Sequence, residues 1–180
     1  MRIAYADPPY PGCAEKRIGT IGAYGGETDP YDGEVGEVDH ALLLESLATY
    51  DGWILHTHVP GLTTILPLLP AEARICAWVK PFAAFKRNVP VAYAWEPVIV
   101  KAARKPEVTG RLTLRDWIAE PITLKRGLAG AKPEAVCRWA FEIAGAQADD
   151  ELDDLFPGTG AVARAWDAWR SQLTFAFDHP

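Results

Sequence analysis

The sequence predicts a single α/β domain with a mostly parallel sheet and flanking helices. Apolar runs of strand length alternate with segments of helix length, which is the pattern of parallel strands joined by helical crossovers. The chain of 180 residues is 49% hydrophobic and 23% charged, which is enough apolar material to fill one core. It contains no internal repeat and no low-complexity tract. We therefore expect residues 1–180 to form one domain.

The first strand and the first loop have clear boundaries. Residues 2–6 are apolar after Arg2 and are followed by Asp7-Pro8-Pro9-Tyr10, which we call the proline turn. Consecutive prolines cannot continue a ladder or enter a helix, so the strand ends there. Residues 11–37 are rich in Gly, Asp and Tyr without periodicity, which predicts a long loop of the kind that serves a functional site.

The later elements are predicted where apolar residues recur at helix or strand spacing. In chain order they are a helix over 38–48 with Asp39 as its N-cap, a strand over 52–57, a helix over 60–68, strands over 74–79 and 91–100, a helix over 133–145, a strand over 152–156, a helix over 161–170 and a strand over 173–177. Pro97 is expected to interrupt its strand, because proline donates no ladder hydrogen bond. Residues 101–131 are basic and have no clear pattern.

Membrane and secreted classes are disfavoured by the composition. No stretch approaches the ~18–20 uninterrupted apolar residues that span a bilayer, and the N-terminal apolar run meets Asp7 too early for a signal peptide. Cys13, Cys76 and Cys137 are widely spaced and odd in number, which argues against a disulfide framework or a zinc knuckle. We therefore expect a cytoplasmic protein without membrane contact.

Charge is unevenly distributed along the chain. The net charge is −6, but residues 74–138 contain 13 Lys and Arg against 5 Asp and Glu. A basic middle in an acidic chain favours a surface that binds a polyanion, and a solvated basic face is the alternative.

A second turn that could form part of a binding site occupies residues 154–160, Asp-Leu-Phe-Pro-Gly-Thr-Gly, and we call it the glycine turn. It joins a predicted strand to a predicted helix, so its glycines let a ligand approach the backbone and the helix start offers free N–H groups. Asp178 follows Asp154 by 24 residues, at the end of the next predicted strand. Nucleoside-binding folds place a carboxylate against ribose hydroxyls at that position. An ordinary tight turn is the alternative.

The proline turn also has a specific chemical use. Its prolines restrict the backbone so that the Pro8 carbonyl and the Asp7 carboxylate can point the same way. Two converging acceptors suit an exocyclic –NH₂ group, which has two hydrogens to donate. Tyr10 offers a flat face on which a base can stack. A proline-rich turn with a capping Asp is the alternative.

Together the two turns resemble those of the amino-methyltransferases, which use S-adenosylmethionine to methylate adenine N6 or cytosine N4. The catalytic motif of that family, (Asp/Asn/Ser)-Pro-Pro-(Tyr/Phe/Trp), is matched by Asp7-Pro8-Pro9-Tyr10 in the form most often seen with adenine. Its motif Asp-x-Phe-x-Gly-x-Gly is matched by residues 154–160. Because the catalytic turn comes first, the chain resembles the circularly permuted β-class DNA methyltransferases and the related messenger-RNA adenine methyltransferases. The likeness spans nearly the whole chain, including residues 77–80 and 95–100.

The resemblance implies a Rossmann-like methyltransferase sheet, circularly permuted, with S-adenosylmethionine as cofactor. The residues that it implies for the cofactor are Asp154, Phe156, Gly158, Thr159, Gly160 and Asp178, with Lys132 and Pro133 closing the methionine end of the pocket. The residues that it implies for catalysis are Asp7, Pro8, Pro9 and Tyr10. Many relatives continue past the position of Pro180 with a further helix, strand and acid.

The implied reaction is methyl transfer to adenine N6 in nucleic acid, with DNA favoured over RNA. Residues 11–37 would form the active-site loop, and residues 101–131 a short segment that contacts the substrate. The basic side chains expected along the phosphate backbone are Lys80, Lys86, Arg87, Lys101, Arg104, Lys105, Arg111, Arg115, Lys125 and Arg126. Cytosine N4 transfer, RNA adenine methylation and a non-catalytic methyltransferase-like subunit that binds nucleic acid remain the alternatives. A homodimer or a partner subunit is compatible with an exposed sheet edge.

Other residues are expected to have structural roles. His56 and His58 alternate along a strand, but no third ligand is near in sequence, so we expect no metal site. His40 is expected on the surface of its helix. The tryptophans expected to pack between the sheet and the helices are Trp53, Trp78, Trp139 and Trp166.

Overall fold

The computed structural model describes residues 1–11, 38–81, 90–106, 113–123 and 131–178. Within these ranges the strands are β1 (Arg2–Ala6), β2 (Gly52–His56), β3 (Arg74–Val79), β4 (Trp95–Lys101), β5 (Trp117–Ala119) and β6 (Glu151–Asp154). The helices are α1 (His40–Leu47), α2 (Leu62–Ile65), α3 (Glu134–Ile143) and α4 (Ala161–Asp178), and single 3₁₀ turns, Val59–Gly61 and Leu66–Leu68, flank α2. Nearly all of the loop predicted over 11–37 lies outside the described residues, as do parts of the segment 101–131.

The strands form one six-stranded sheet in the order β5-β3-β4-β2-β1-β6. Five strands run in the same direction, and β4 runs antiparallel to both of its neighbours. The prediction of a mostly parallel α/β sheet with flanking helices is therefore confirmed. The carboxyl ends of five strands and the amino end of β4 meet at one edge of the sheet, which we call the upper edge.

Both faces of the sheet are covered, which explains why the central strands are almost continuously apolar. On one face Tyr5, Ile54 and Trp78 pack with α3 and α4. On the other face Ala4 and Leu55 pack with α1 and α2. The four tryptophans expected in the core, Trp53, Trp78, Trp139 and Trp166, are buried.

Local sequence explains where the helices begin and end. The Asp39 carboxylate accepts hydrogen bonds from the Ala41 and Leu42 amides at 2.9 and 3.1 Å, which confirms it as the N-cap of α1. Helix α3 stops before Gly145, which has a φ of 69° and lets the Ala146 amide donate to the Phe141 carbonyl at 3.0 Å. None of the helices in the described ranges is long and apolar enough to cross a membrane.

The strand predicted over 173–177 is wrong, because α4 continues as a helix from Ala161 to Asp178. The apolar residues Val162, Trp166 and Trp169 repeat at helical spacing and are buried against α3 and the sheet. Asp178 therefore does not end a strand.

Three smaller expectations are also corrected. Pro97 does not interrupt β4, since the ladder with β2 begins one residue later, at Val98, and needs no N–H from the proline. His40 is buried instead of lying on the surface of α1. Strand β5 lies within the segment that had no clear pattern and pairs with β3 at the edge of the sheet.

Candidate active site

The proline turn and the glycine turn are neighbours at the upper edge, although they lie at opposite ends of the chain. Strands β1 and β6 are paired in parallel, with Tyr5 opposite Asp154. The Leu155 amide donates to the Tyr5 carbonyl at 2.9 Å and extends this pairing past the end of β6. Asp7 and the glycine turn therefore follow the ends of two paired strands and lie next to each other.

Lys132 connects the proline turn to β4. Its ammonium Nζ lies 2.7 Å from Asp7 Oδ2 and 3.3 Å from Glu96 Oε1, and it donates to the Tyr10 hydroxyl at 3.3 Å. The side chain is buried, and Pro133 follows it as the N-cap of α3. The start of α3 therefore holds a cation against the carboxylate of the proline turn.

Glu96 lies at the centre of a buried polar network. Its Oε2 accepts from Lys80 Nζ at 2.8 Å and its Oε1 accepts from His56 Nδ1 at 2.9 Å. Because His56 Nδ1 donates to a carboxylate, Nε2 of the neutral ring accepts from the Tyr5 hydroxyl, 2.7 Å away. The network thus runs from the surface ammonium of Lys80 to the core at Tyr5.

Opposite charges keep Lys132 and Glu96 ionised despite their burial. Burial lowers the pKa of Lys132, but the carboxylates of Asp7 and Glu96 outweigh it and hold the pKa above its usual 10.5. Burial raises the pKa of Glu96, but the two ammonium groups and His56 hold it well below its usual 4.5. The site therefore contains two ammonium groups and two carboxylates.

The hydroxyl and thiol groups of the network stay protonated at neutral pH. Burial raises the pKa of Tyr5 and of Tyr10 well above 10, and the nearby Asp7 carboxylate adds to the effect. Burial also raises the pKa of Cys137 to about 12, with its Sγ 3.8 Å from the Tyr5 hydroxyl. Neither the phenols nor this thiol is poised to act as a nucleophile.

Among the described residues, Asp7, His56 and Glu96 have ligand atoms within 4.8 Å of one another, a spacing that would suit a metal ion. The Lys132 ammonium, however, already contacts both carboxylates of this group. His56 Nδ1 is likewise committed to Glu96. These contacts are those of an ion-pair network, and the donor set is a poor match for a second cation.

Tyr10 is half-buried and packs against His58. The two rings are stacked, with centroids 5.4 Å apart and an interplanar angle of 11°. The Tyr10 hydroxyl donates to Asp7 Oδ1 at 3.4 Å. One face of Tyr10 is thus covered by the chain itself, so a base would have to use the other face or displace His58.

The glycine turn has the backbone that the sequence predicts. Gly158 and Gly160 have φ values of 46° and 70°, which only glycine adopts readily. Asp154 Oδ1 accepts from the Phe156 amide at 3.3 Å, whereas Oδ2 is buried and has no hydrogen-bond partner among the described residues. Burial raises the pKa of Asp154. Its free oxygen is an acceptor that a ligand amine or hydroxyl would satisfy.

Asp178 is not brought to this site. Helix α4 begins at the glycine turn and runs for 18 residues, or about 27 Å, so its last residue lies far from the upper edge. The strand expected to end at this carboxylate is therefore wrong, because the segment that carries Asp178 is helical.

The basic residues predicted to contact nucleic acid do not all lie at the candidate site. Lys80 lies in the site and binds Glu96. Arg104 binds Asp150 at 2.6 and 2.7 Å and the Gly145 carbonyl at 2.8 Å. These contacts lie at the edge of the sheet opposite the upper edge, which we call the lower edge. Lys105 is the next residue in the chain. Lys86, Arg87, Arg111, Lys125 and Arg126 lie outside the described residues. No observation tests contact with nucleic acid, so for the whole basic set, including Lys101 and Arg115, the prediction stays a prediction.

Sequence reasoning missed the network behind Lys132. Glu96 carried the clearest signal, since it is an acid within the otherwise apolar segment 95–100. A buried carboxylate requires a cation, and the order of the strands decides which cation reaches it. The antiparallel direction of β4, which brings Glu96 to the upper edge, was not readable from the sequence.

Comparison with known proteins supports the fold. No protein-family model matches the chain, and no curated protein matches it. Among solved structures, the crystal structure of the M1.HpyAVI–SAM complex matches with a TM-score of 0.50 and 14% sequence identity. The match covers 94% of this chain and 77% of that chain. At this identity the likeness establishes a shared fold over nearly the whole chain.

Proposed function

We propose that the protein transfers a methyl group from S-adenosylmethionine to the exocyclic N6 amine of adenine in DNA. The observation that carries the proposal is the adjacency of the proline turn and the glycine turn at the ends of paired strands. The matched solved structure, which is a complex with S-adenosylmethionine, shares the fold and supports the cofactor. The tyrosine form of the proline turn favours adenine over cytosine, through the resemblance described above.

The glycine turn fits the cofactor. Gly158 and Gly160 carry no side chain, so a ligand can approach the backbone where α4 begins, and the unpartnered Asp154 Oδ2 is a buried acceptor in the same turn. Bound there, S-adenosylmethionine supplies an activated methyl group on a positively charged sulfur. The task of these residues is to hold that group facing the proline turn.

The proline turn fits an amino group. Asp7 and the Pro8 carbonyl accept its two hydrogens, which frees the nitrogen lone pair to form the new N–C bond as the S–C bond breaks. The nitrogen then carries a positive charge and releases one proton to water. Lys132 and the Tyr10 hydroxyl, which hold the Asp7 oxygens in the free protein, must yield one of them to the amine. The target base must leave its stack to reach this point.

The test uses the full chain, labelled S-adenosylmethionine and a mixture of DNA and RNA, followed by digestion and nucleoside identification. We expect label on N6-methyldeoxyadenosine. Asp7→Ala should reduce transfer at least about 1000-fold, since it removes an acceptor that orients the nucleophile. Its calorimetric affinity for S-adenosylmethionine should change little.

Asp116→Ala is the matched control, because the Asp116 side chain is exposed and the residue directly precedes β5, the strand at one end of the sheet order. It should keep wild-type turnover. Label on N4-methyldeoxycytidine or on RNA adenosine would identify one of the alternative substrates. Cofactor binding without transfer to any nucleic acid would indicate the non-catalytic subunit, and near-normal turnover of Asp7→Ala would contradict the mechanism.

A further inference from the structure

A cavity of about 480 Å³ lies beside the proline turn, between Pro11 and the start of α1. Pro11 directly follows Tyr10, so the chain allows at most about 14 Å between the Cα atoms of Pro11 and Asp7. Neither Asp7 nor Gly158 lines the cavity. It is therefore a separate space next to the candidate catalytic groups.

His40 lines this cavity and carries an unused acceptor. The ring is buried, with an exposed fraction of 5%, and its Nδ1 lies 2.8 Å from the Val38 carbonyl oxygen. A carbonyl can only accept, so Nδ1 carries the hydrogen and Nε2 of the neutral ring presents a lone pair. Nε2 has no hydrogen-bond partner among the described residues. Because Nε2 is itself buried, a ligand N–H would satisfy it only after a small shift of the ring or its neighbours.

The other walls define the chemistry of the ligand. Asp39 carries a negative charge at the rim, and its Oδ1 already occupies the first amides of α1, so a phosphate is disfavoured. Val38, Pro60 and Leu68 offer apolar surface. A flat, uncharged heteroaromatic ring with an amino group meets both conditions.

We infer that this cavity binds a base adjacent to the methylated base and accepts a hydrogen bond from its exocyclic amine on His40 Nε2. The inference rests on the proposed function for the identity of the ligand. It makes His40 a specificity-determining residue for the neighbouring nucleotide. The adenine ring of the cofactor has the same chemistry, so the experiment must distinguish the two sources.

The direct test follows the imidazole ¹⁵N resonances of the full chain, labelled at histidine, with His40→Phe used to assign the His40 signals. Adenosine should shift the Nε2 resonance of His40, because it donates to that atom. Purine riboside, which differs by lacking the amine, should leave the resonance in place. S-adenosylmethionine alone should also leave it in place. The absence of a shift with adenosine, or a shift with S-adenosylmethionine alone, would overturn the inference.

A second test measures binding of single-stranded oligonucleotides that carry one target adenine flanked by either adenine or purine. The wild type should bind the adenine-flanked strand about ten times more tightly. Ala41→Phe, which fills the cavity from its wall, should abolish that preference, whereas Ala48→Phe at the exposed end of α1 should retain it.

These results separate the two proposals. Equal preference in the two phenylalanine variants overturns the cavity assignment, whatever the methylation assay gives. Conversely, a His40 shift with adenosine in a protein that transfers no methyl group would keep the cavity as an adenine-binding site and refute the catalytic proposal.

Discussion

Lys132 is held in place by two acids from distant parts of the chain, and this arrangement determines how the site responds to substitution. Asp7 follows β1 and Glu96 belongs to β4, and both contact the same ammonium group. Each charge is buried at a cost that only the opposite charges offset. Removal of one partner therefore leaves the remaining charges without compensation.

Glu96→Gln should lower the free energy of unfolding by about 3 kcal/mol or more, because Lys132 and Lys80 lose a shared buried counter-ion. Urea titration at pH 7 measures the loss. Glu134→Gln is the control, since Glu134 is exposed and lies 4.0 Å from Arg138, and it should change stability by less than about 0.5 kcal/mol. Equal effects of the two variants would contradict the central role of Glu96.

The same variant has a predicted pH signature. Folding lowers the pKa of Glu96, so its contribution to stability is present above about pH 4.5 and is lost as the pH falls through the lower pKa of the folded state. The stability difference between wild type and Glu96→Gln should therefore shrink below pH 4.5. A difference that grew in acid would refute the charge assignment.

At the scale of single residues, the sequence predicts the turns better than the side-chain contacts between distant residues. Asp7-Pro8-Pro9-Tyr10 and the glycines of residues 154–160 are legible because they impose a local backbone. The stacking of His58 on Tyr10 and the bond from Lys132 to Asp7 join residues that are distant in sequence. Such pairings depend on the order of strands in the sheet, which no local pattern encodes.

Helix α3 joins the sheet to α4 through one aromatic ring. Phe141 meets Tyr5 at 6.1 Å, Trp166 at 5.0 Å and Trp169 at 5.6 Å between ring centroids. Edge-to-face contacts of this kind add to the hydrophobic burial of each ring. Phe141 therefore links three elements of the upper-edge scaffold.

Phe141→Ala should reduce the free energy of unfolding by about 3–5 kcal/mol, since it leaves a cavity among three large rings. Phe141→Leu refills part of that space and should cost roughly half as much. Near-ultraviolet circular dichroism of the tryptophans and urea titration report both effects. A loss below about 1 kcal/mol for Phe141→Ala would mean that the cluster repacks freely.

At the scale of elements, strands bounded by turn residues were predictable and the length of α4 was not. Residues 2–6 and 74–79 match β1 and β3 because apolar runs end there at prolines or charged residues. The apolar residues of segment 173–177 fit both the two-residue period of a strand and the 3.6-residue period of a helix. The helix is favoured because Trp166 and Trp169 pack on α3 and so continue the buried face of α4.

The lower edge of the sheet is fixed by one buried carboxylate. Asp150 accepts from the Met1 amino group at 2.8 Å, from Arg104 at 2.6 and 2.7 Å and from the Gln147 amide at 2.8 Å. Burial raises its pKa, but these donors outweigh burial and lower the pKa to about 2. This carboxylate joins the start of β1, the segment after β4 and the approach to β6.

Asp150→Asn should lower the free energy of unfolding at pH 7 by about 2 kcal/mol or more, as it removes a buried charge paired with Arg104. Since folding lowers the pKa of Asp150 from 3.8 to about 2, the difference from wild type should disappear as the pH falls across that interval. Thermal unfolding against pH measures it. Asp149→Asn, at the exposed neighbouring position, should follow the wild-type curve.

For the whole molecule, fold class and the meeting of the two turns were predictable, because parallel strands place their carboxyl ends at one edge. The reversed strand β4 and the edge strand β5 were not, since direction and order depend on packing between distant segments. The role of Arg104 was missed for the same reason. Its partner Asp150 lies 46 residues away in sequence.

The reversal of β4 divides the upper edge into a rigid part and an adjustable part. Glu96 sits inside a strand that pairs with β3, and the neighbouring Pro97 carbonyl accepts from the Thr57 amide at 3.2 Å. Asp7 and Lys132 instead belong to segments outside the regular ladders. Glu96 is consequently the stationary anchor of this edge, and any rearrangement that admits a ligand is confined to the chain segments that carry the other two charges.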